Sequence, residues 1–249
     1  MNRKVIYTSL VGKYDSLTDP KYIMENWDYI CFSNNVNKIK NSVWQIKPIP
    51  FKHRDKIILS RYVKMNPHLV LREYDFSLWI DANVEILDDF VERRVNELIR
   101  DQCNLSLIPH PFRDCIYKEA RVCIESGLGS RKIIEKQVNF LKSEKYPENN
   151  GLFENGLIFR YHNHKQISAL GRDWWNIYLE YSKRDQLSLC YLLWKYDIHC
   201  EPFTQKGLSV RNIPSIRLTP HESSLLQKME RHIQIKINNI KLPASMAMD

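Results

Sequence analysis

The sequence predicts an α/β domain in which a mostly parallel central sheet is flanked by helices on both faces. Three observations lead there. Short runs rich in β-branched and aromatic residues alternate along the chain with amphipathic stretches of helical length. Alternation of that kind buries each strand between helices, because a connection that returns a chain to the same edge of a sheet needs a helix-sized crossover. The 249 residues suffice for one sizeable core, and no repeat, Gly/Ser linker or low-complexity stretch divides them, so residues 1–249 are expected to form a single domain.

Taken in order, Val5 to Val11, Tyr29 to Ser33 and Trp44 to Pro48 are read as strands. Lys56 to Asn66 follows as a helix that ends before Pro67, a residue that cannot continue one. Ser77 to Asp81 is the next strand, then Phe90 to Arg100 a helix and Leu105 to Ile108 a strand. Tyr117 to Ser126 and Arg131 to Lys145 carry helical spacing, and Gly156 to Arg160 is read as a strand after the turn-rich stretch from Asn149. Two further helices are expected over Ile167 to Tyr181 and Asp185 to Tyr196. The chain closes with Glu222 to Leu242, where Leu225, Leu226, Met229, Ile233, Ile237 and Ile240 recur at helical spacing.

Hydrophobic residues make up 43% and charged residues 27%, the balance of a folded globular protein rather than a disordered chain. No apolar run reaches the roughly 20 residues that span a bilayer. The start, Met1 to Tyr7, turns polar too soon to be a signal-peptide core, so a cytoplasmic protein is expected, at most peripheral at the inner face of a membrane. The six cysteines show neither a C-x-x-C pair nor zinc-like spacing. Of the net charge of +8, all comes from residues 1–72, which hold 13 Lys+Arg against 5 Asp+Glu; the remainder holds 24 of each sign. A basic first part suits either an anionic ligand or a solvated surface. Nucleic acid is not expected, because the basic residues are scattered rather than clustered among aromatics.

Ligands of open α/β sheets bind outside the carboxyl ends of the strands, so strand ends are where chemistry is sought. The run Leu78-Trp79-Ile80 feeds directly into Asp81-Ala82-Asn83. A buried strand ends in a carboxylate only where that group meets a charge, a cap or a metal. Two assignments are open for Asp81: a cap on the following turn, or, with Asn83, an oxygen ligand set for Mg²⁺ or Mn²⁺ of the kind that bridges to phosphates. Arg61 and Lys64 stand three apart on one helix face, a bidentate donor and a point charge suited to a diphosphate. His110 and Arg113 lie just past a strand end, and Asp114 is placed to cap the next helix. The amides and Glu154 of the loop from Asn149 to Gly156, Asn155 among them, are placed to hydrogen-bond hydroxyl groups. Arg184-Asp185-Gln186 opens a helix, with Asp185 at an N-cap or first-turn position.

The chain resembles the DUF616 family, bacterial relatives of plant TOD1/MUCI70-type glycosyltransferase-like proteins. The matching residues are Ile6-Tyr7-Thr8 with Gly12-Lys13-Tyr14-Asp15, Asp28-Tyr29-Ile30-Cys31-Phe32-Ser33, Ser60 to His68 and Ser77 to Asn83. They continue through His110-Pro111-Phe112-Arg113-Asp114-Cys115-Ile116-Tyr117-Lys118-Glu119-Ala120 and Ser182 to Ser188. The resemblance implies a GT-A-like fold, with a nucleotide-binding part over about 1–110, an acceptor and catalytic part over about 111–221 and a C-terminal helix over 222–249. It implies transfer of a hexose from a nucleotide-sugar, UDP-sugar favoured, to a glycan or lipid-linked saccharide, in surface polysaccharide synthesis. Asp81-Ala82-Asn83 then stands at the metal-binding D-x-D, with Asn as a departure at its third position. Thr8, Tyr14 and Asp15 fall where base and ribose bind, together with Arg61, Lys64, His110, Arg113 and Asn155 toward diphosphate and sugar. Asp185, flanked by Arg184 and Gln186, falls at the catalytic position, and His221 is the candidate late metal ligand beside Asp81 and Asn83. The rival class is a catalytically silent nucleotide-sugar- or glycan-binding protein.

Overall fold

The computed structural model describes residues 2–12, 17–35, 42–219 and 225–240. Four parallel strands form one half of a seven-stranded sheet: β1 (Lys4–Leu10), β2 (Asp28–Ser33), β3 (Gln45–Pro48) and β4 (Phe76–Ile80), in the order β3-β2-β1-β4. The other half is β7 (Phe153–Tyr161), β6 (Leu105–Pro109) and β8 (Glu201–Pro202). Strand β7 runs antiparallel to both β4 and β6, and the remaining pairings are parallel. The mostly parallel sheet is as expected; the reversed strand in its middle was not legible beforehand.

Successive residues of β1 show why these strands read as continuous apolar runs. Val5 and Tyr7 join one core cluster and Ile6 the other, so both faces are buried. One face is packed by α1 (Lys56–Met65), α4 (Ile116–Glu125), α5 (Arg131–Ser143), α6 (Lys165–Glu180) and α7 (Gln186–Lys195). The opposite face is covered by α3 (Phe90–Arg100) and by apolar residues of the segments around Trp27, Trp44 and Val210.

Helix α1 begins at Asp55, whose Oδ1 accepts from the backbone N–H groups of Ile57 (2.8 Å) and Ile58 (3.4 Å), and it stops at Asn66 before Pro67. A separate two-stranded ribbon pairs β5 (Val84–Ile86) with β9 (Ile216–Leu218), which carries the chain back to the end of β4. The last helix, α8 (Leu225–Ile240), is tied to the α4–α5 connection by Asn238, whose amide donates to the Ile124 (2.8 Å) and Gly129 (3.1 Å) carbonyls. No helix among the described residues is long and apolar enough to cross a membrane.

Three local expectations change. The strand expected from Gly156 starts at Phe153, so Glu154 and Asn155 belong to a strand rather than to a loop. The residue before α4 is Cys115, and the Asp114 side chain accepts from Lys118 instead of capping the helix. Asp185 holds the N-cap position of α7 but makes no capping hydrogen bond, because its carboxylate is taken by a closer cation.

Candidate active site at the carboxyl ends of the strands

The reversal of β7 builds the site. Running against its neighbours, the strand brings its start beside the ends of β4 and β6, with Ile80 opposite Leu157 and Pro109 opposite Phe153. The Asp81 N–H donates to the Gly156 carbonyl at 2.9 Å, and a Cβ on Gly156 would stand 3.6 Å from Asp81 Oδ2. Glu154, Asn155 and Gly156 therefore flank the Asp81 turn.

At the centre is Lys64, in the last turn of α1, with a side chain only 2% exposed. Its Nζ lies 2.7 Å from Asp185 Oδ2 and 3.5 Å from Asp81 Oδ1. Arg61, one helical turn earlier, places Nε 3.6 Å from the same Asp185 oxygen. Burial alone pushes the Asp185 carboxyl up, but the Lys64 ammonium and the Arg61 guanidinium outweigh it and hold the group well below the ordinary carboxylate range. Asp185 is thus a permanently ionised carboxylate, 12% exposed, whereas Asp81 is more open at 35%. Asp81 Oδ1 also accepts from the Trp79 indole N–H at 2.9 Å, which fixes the carboxylate against the strand it terminates.

A second arc of charge closes the ring. Arg184 donates to Gln186 Oε1 (3.4 Å), and Gln186 donates to the Phe153 carbonyl (3.1 Å), tying α7 to β7. Glu154 accepts from Arg211 Nη1 (2.9 Å) and from the Val210 N–H (3.2 Å); burial raises its carboxyl against these partners. Arg113 Nε donates to Glu119 at 2.5 Å, and Glu119 accepts from the buried Cys123 thiol at 3.4 Å. His110 Nδ1 accepts from the Phe112 (3.2 Å) and Arg113 (3.0 Å) N–H groups, and burial together with Arg113 lowers its pKa. His110 Nε2 lies 3.1 Å from Arg113 Nη2, a contact in which the guanidinium can only donate.

Asn155 is 5% exposed, yet neither atom of its amide has a partner among the described residues. A buried amide without partners is costly in the isolated protein and is relieved by a polar ligand. Thr8 is likewise fully buried with its hydroxyl unpartnered, within β1. Tyr14, Asp15 and His221 lie outside the described residues. Thr219, two positions before His221, is pinned to Asn83: its N–H donates to the Asn83 carbonyl (2.8 Å) and its carbonyl accepts from Asn83 Nδ2 (3.1 Å).

Lys56 and Arg211 join the setting without having been singled out as ligands. Lys56 lies along Gly12, whose backbone φ of +79° suits glycine, with Nζ 3.4 Å from where a Cβ would stand. Nothing local in the sequence marks Arg211, because its partner Glu154 stands 57 positions earlier. The residues brought together therefore include Arg61, Lys64, Asp81, Asp185, Arg184 and Gln186, with Asn155, His110 and Arg113 in the adjoining arc.

Among the described residues no three His, Cys, Asp or Glu side chains cluster as a complete metal-ligand set. The oxygen donors at the turn nonetheless suit a hard divalent ion that keeps most of its waters. Asp81 Oδ1 is used by Trp79 and Lys64, which leaves Oδ2 on a partly exposed carboxylate, and the Asn83 nitrogen is used on Thr219, which leaves its oxygen.

Solved structures similar to this chain include glycosyltransferases. WbbM, a bifunctional glycosyltransferase in its apo form, gives 9% identity and a TM-score of 0.44 over 94% of this chain and 44% of that one. GlyE of Streptococcus pneumoniae TIGR4 gives 9% and 0.45 over 99% of this chain and 66% of that one. Mouse xyloside xylosyltransferase 1, apo form, gives 8% and 0.41 over 77% and 80%. The chain thus spans less than half the length of the first of these. No curated protein matches it. The model of the TOD1/MUCI70 glycosyltransferase-like domain matches residues 2–208, most of the chain, and the protein belongs to that family.

Proposed function

We propose that this protein transfers a hexosyl group from a nucleotide-sugar, UDP-sugar favoured, to a hydroxyl of a glycan or lipid-linked saccharide. The observation that carries the reading is the pair of carboxylates, Asp81 and Asp185, bridged by one buried ammonium at the carboxyl ends of the strands. In the transfer, the bond from the anomeric carbon to the diphosphate oxygen breaks and a bond to the acceptor oxygen forms. The acceptor proton leaves with a base or with the departing diphosphate. Negative charge grows on the diphosphate and positive charge on the sugar ring, so fixed charges of both signs are what the site must supply.

Arg61 and Arg184 are the donors for the diphosphate oxygens, with Lys56 beside Gly12 as a further cation. Asp185 is held ionised by its neighbours, which makes it a weak base but a good electrostatic partner for a positive sugar ring. Lys64 fixes the spacing of the two carboxylates. Asn155 offers both amide donors and an acceptor to sugar hydroxyls. Asp81 and Asn83, with His221 as the third candidate, would hold Mn²⁺ or Mg²⁺, which when bound neutralises charge on the diphosphate. Synthesis of a surface polysaccharide, at the inner face of a membrane, is the cellular role in keeping with a lipid-linked acceptor.

The test is release of nucleoside diphosphate from a panel of nucleotide-sugars, with and without Mn²⁺, and with mixed saccharide acceptors. Release from one donor that falls by about 10²–10³-fold in Asp185→Asn supports the reading. Mn²⁺-dependent release that is lost in Asp81→Ala supports the metal assignment. Donor binding without release, in a folded sample and with every acceptor, overturns transfer in favour of a silent binding protein.

A further inference from the structure

Helix α8 is held to the rest of the protein by polar groups and turns apolar ones away from it. Asn238, 1% exposed, is the anchor. Its amide donates to the Ile124 and Gly129 carbonyls, its Oδ1 accepts from the Arg131 N–H (3.1 Å), and its own carbonyl accepts from Arg131 Nε (2.8 Å). Met229, Ile233 and Ile237 follow one another at intervals of four and so share a face of the helix. They are 60%, 53% and 49% exposed. With 3.6 residues per turn, the middle of that stripe lies about 140° around the helix from Asn238. An amphipathic helix of a globular protein ordinarily turns its apolar stripe to the core, and here the arrangement is reversed.

The size of the stripe and the charges beside it select what covers it. Three half-exposed side chains on one helix fall far short of the roughly 800 Å² per partner that a stable dimer buries. A lipid surface needs no more than such a stripe, because an interfacial helix lies in the plane of the membrane with its apolar side among the acyl chains. The helix is not a span: at 16 residues it is neither long nor apolar enough to cross. Residues 225–241 hold Lys228, Arg231, Lys236 and Lys241 against Glu230, so the segment suits anionic headgroups. Lys236 is exposed and stands three positions after Ile233 and seven after Met229, which puts it at the border of the stripe. From there its alkyl stem lies along apolar surface while the ammonium reaches a phosphate.

We propose that the Met229-Ile233-Ile237 face of α8 docks the protein on an anionic lipid surface. The docking does not rest on the transferase reading, but the two agree. Helix α4 receives Asn238 near its carboxyl end, through Ile124, and holds Arg113 of the candidate site through Glu119 in its first turn. The ten residues of α4 measure roughly 15 Å, so a membrane at α8 stays near the arc that would meet a lipid-linked saccharide.

The experiment floats the full chain with vesicles of phosphatidylcholine alone, or of phosphatidylcholine mixed with phosphatidylglycerol, at low and high salt. The chain should float with the mixed vesicles, and less of it at high salt. Met229→Gln/Ile233→Gln/Ile237→Gln should weaken binding by about 10²-fold, and Lys236→Gln by about fivefold. All four side chains are exposed, so both variants should keep the wild-type Tm. A wild-type chain left unbound by the mixed vesicles overturns the proposal, as does a triple variant that floats like wild type, since the basic first part of the chain would then be the contact. Equal binding to phosphatidylcholine alone overturns the anionic surface. A solution dimer that the triple variant dissociates, read by sedimentation, overturns the lipid in favour of a second copy.

Discussion

Replacing Lys64 by Met removes the ammonium while keeping most of the side-chain volume. The Asp185 carboxylate, 12% exposed, then loses its partner at 2.7 Å and retains Arg61 at 3.6 Å and the weaker influence of the Arg184 charge. Coulomb attraction at 2.7 Å is about 6 kcal/mol in an effective dielectric near 20, and desolvation offsets part of it. Breaking one side of such a buried pair costs about 3–5 kcal/mol, because the remaining charge is stranded. For a chain of this length that lowers Tm by roughly 10 °C. Lys64→Met/Asp185→Asn should recover most of the loss, since neither charge then remains unpaired, while the proposed nucleotide-sugar turnover stays lowered by about 10²–10³-fold.

The acid limb gives a second readout. The folded carboxyl of Asp185 is held below its unfolded value near 3.9, so its contribution is present above that pH and is lost as pH falls below it. Below about pH 4, Lys64→Met should therefore lose stability less steeply than wild type. Urea unfolding of the four variants of the cycle, at pH 7 and pH 3.5, measures both effects. A single Lys64→Met variant within about 1 kcal/mol of wild type, or a double variant as unstable as the sum of the singles, refutes the reasoning.

Two more outcomes follow from the packing. Gly171 sits inside α6, where alanine ordinarily stabilises by about 1 kcal/mol, but here a Cβ would stand 2.5 Å from the Met65 carbonyl, so Gly171→Ala should destabilise by calorimetry; a rise in Tm refutes the close approach. His162 is fully buried and donates from Nε2 to the Leu71 carbonyl at 2.9 Å, and burial lowers its pKa to about 4. The unfolded chain takes up that proton near 6.5, so stability should fall between about pH 6.5 and 4, by up to about 3 kcal/mol from this group. His162→Gln should flatten the decline; an unchanged slope removes His162 as its source.

Most of the elements and their order were legible in the sequence, the short strands β5, β8 and β9 excepted. Local chemistry suffices for that: Asp55 caps α1, Pro67 ends it, and the apolar runs around Ile6 and Leu78 suit strands buried on both faces. It also marked Asp81 as a carboxylate at a strand end, and it placed Arg61 and Lys64 on one helix face. What those groups meet was decided only by the tertiary structure. Lys64 and Asp185 are 121 positions apart, Arg160 and Lys64 are 96 apart, and no local periodicity links such pairs. Asp185 illustrates the difference: local rules put it at a helix start as a cap, and it does stand there, but an ammonium at 2.7 Å outcompetes backbone N–H groups for its oxygens. Strand direction is equally non-local. The run from Phe153 to Tyr161 is apolar enough for either orientation, and only the path of the chain through α4 and α5 turns it antiparallel, which brings Glu154, Asn155 and Gly156 to the carboxyl ends of β4 and β6.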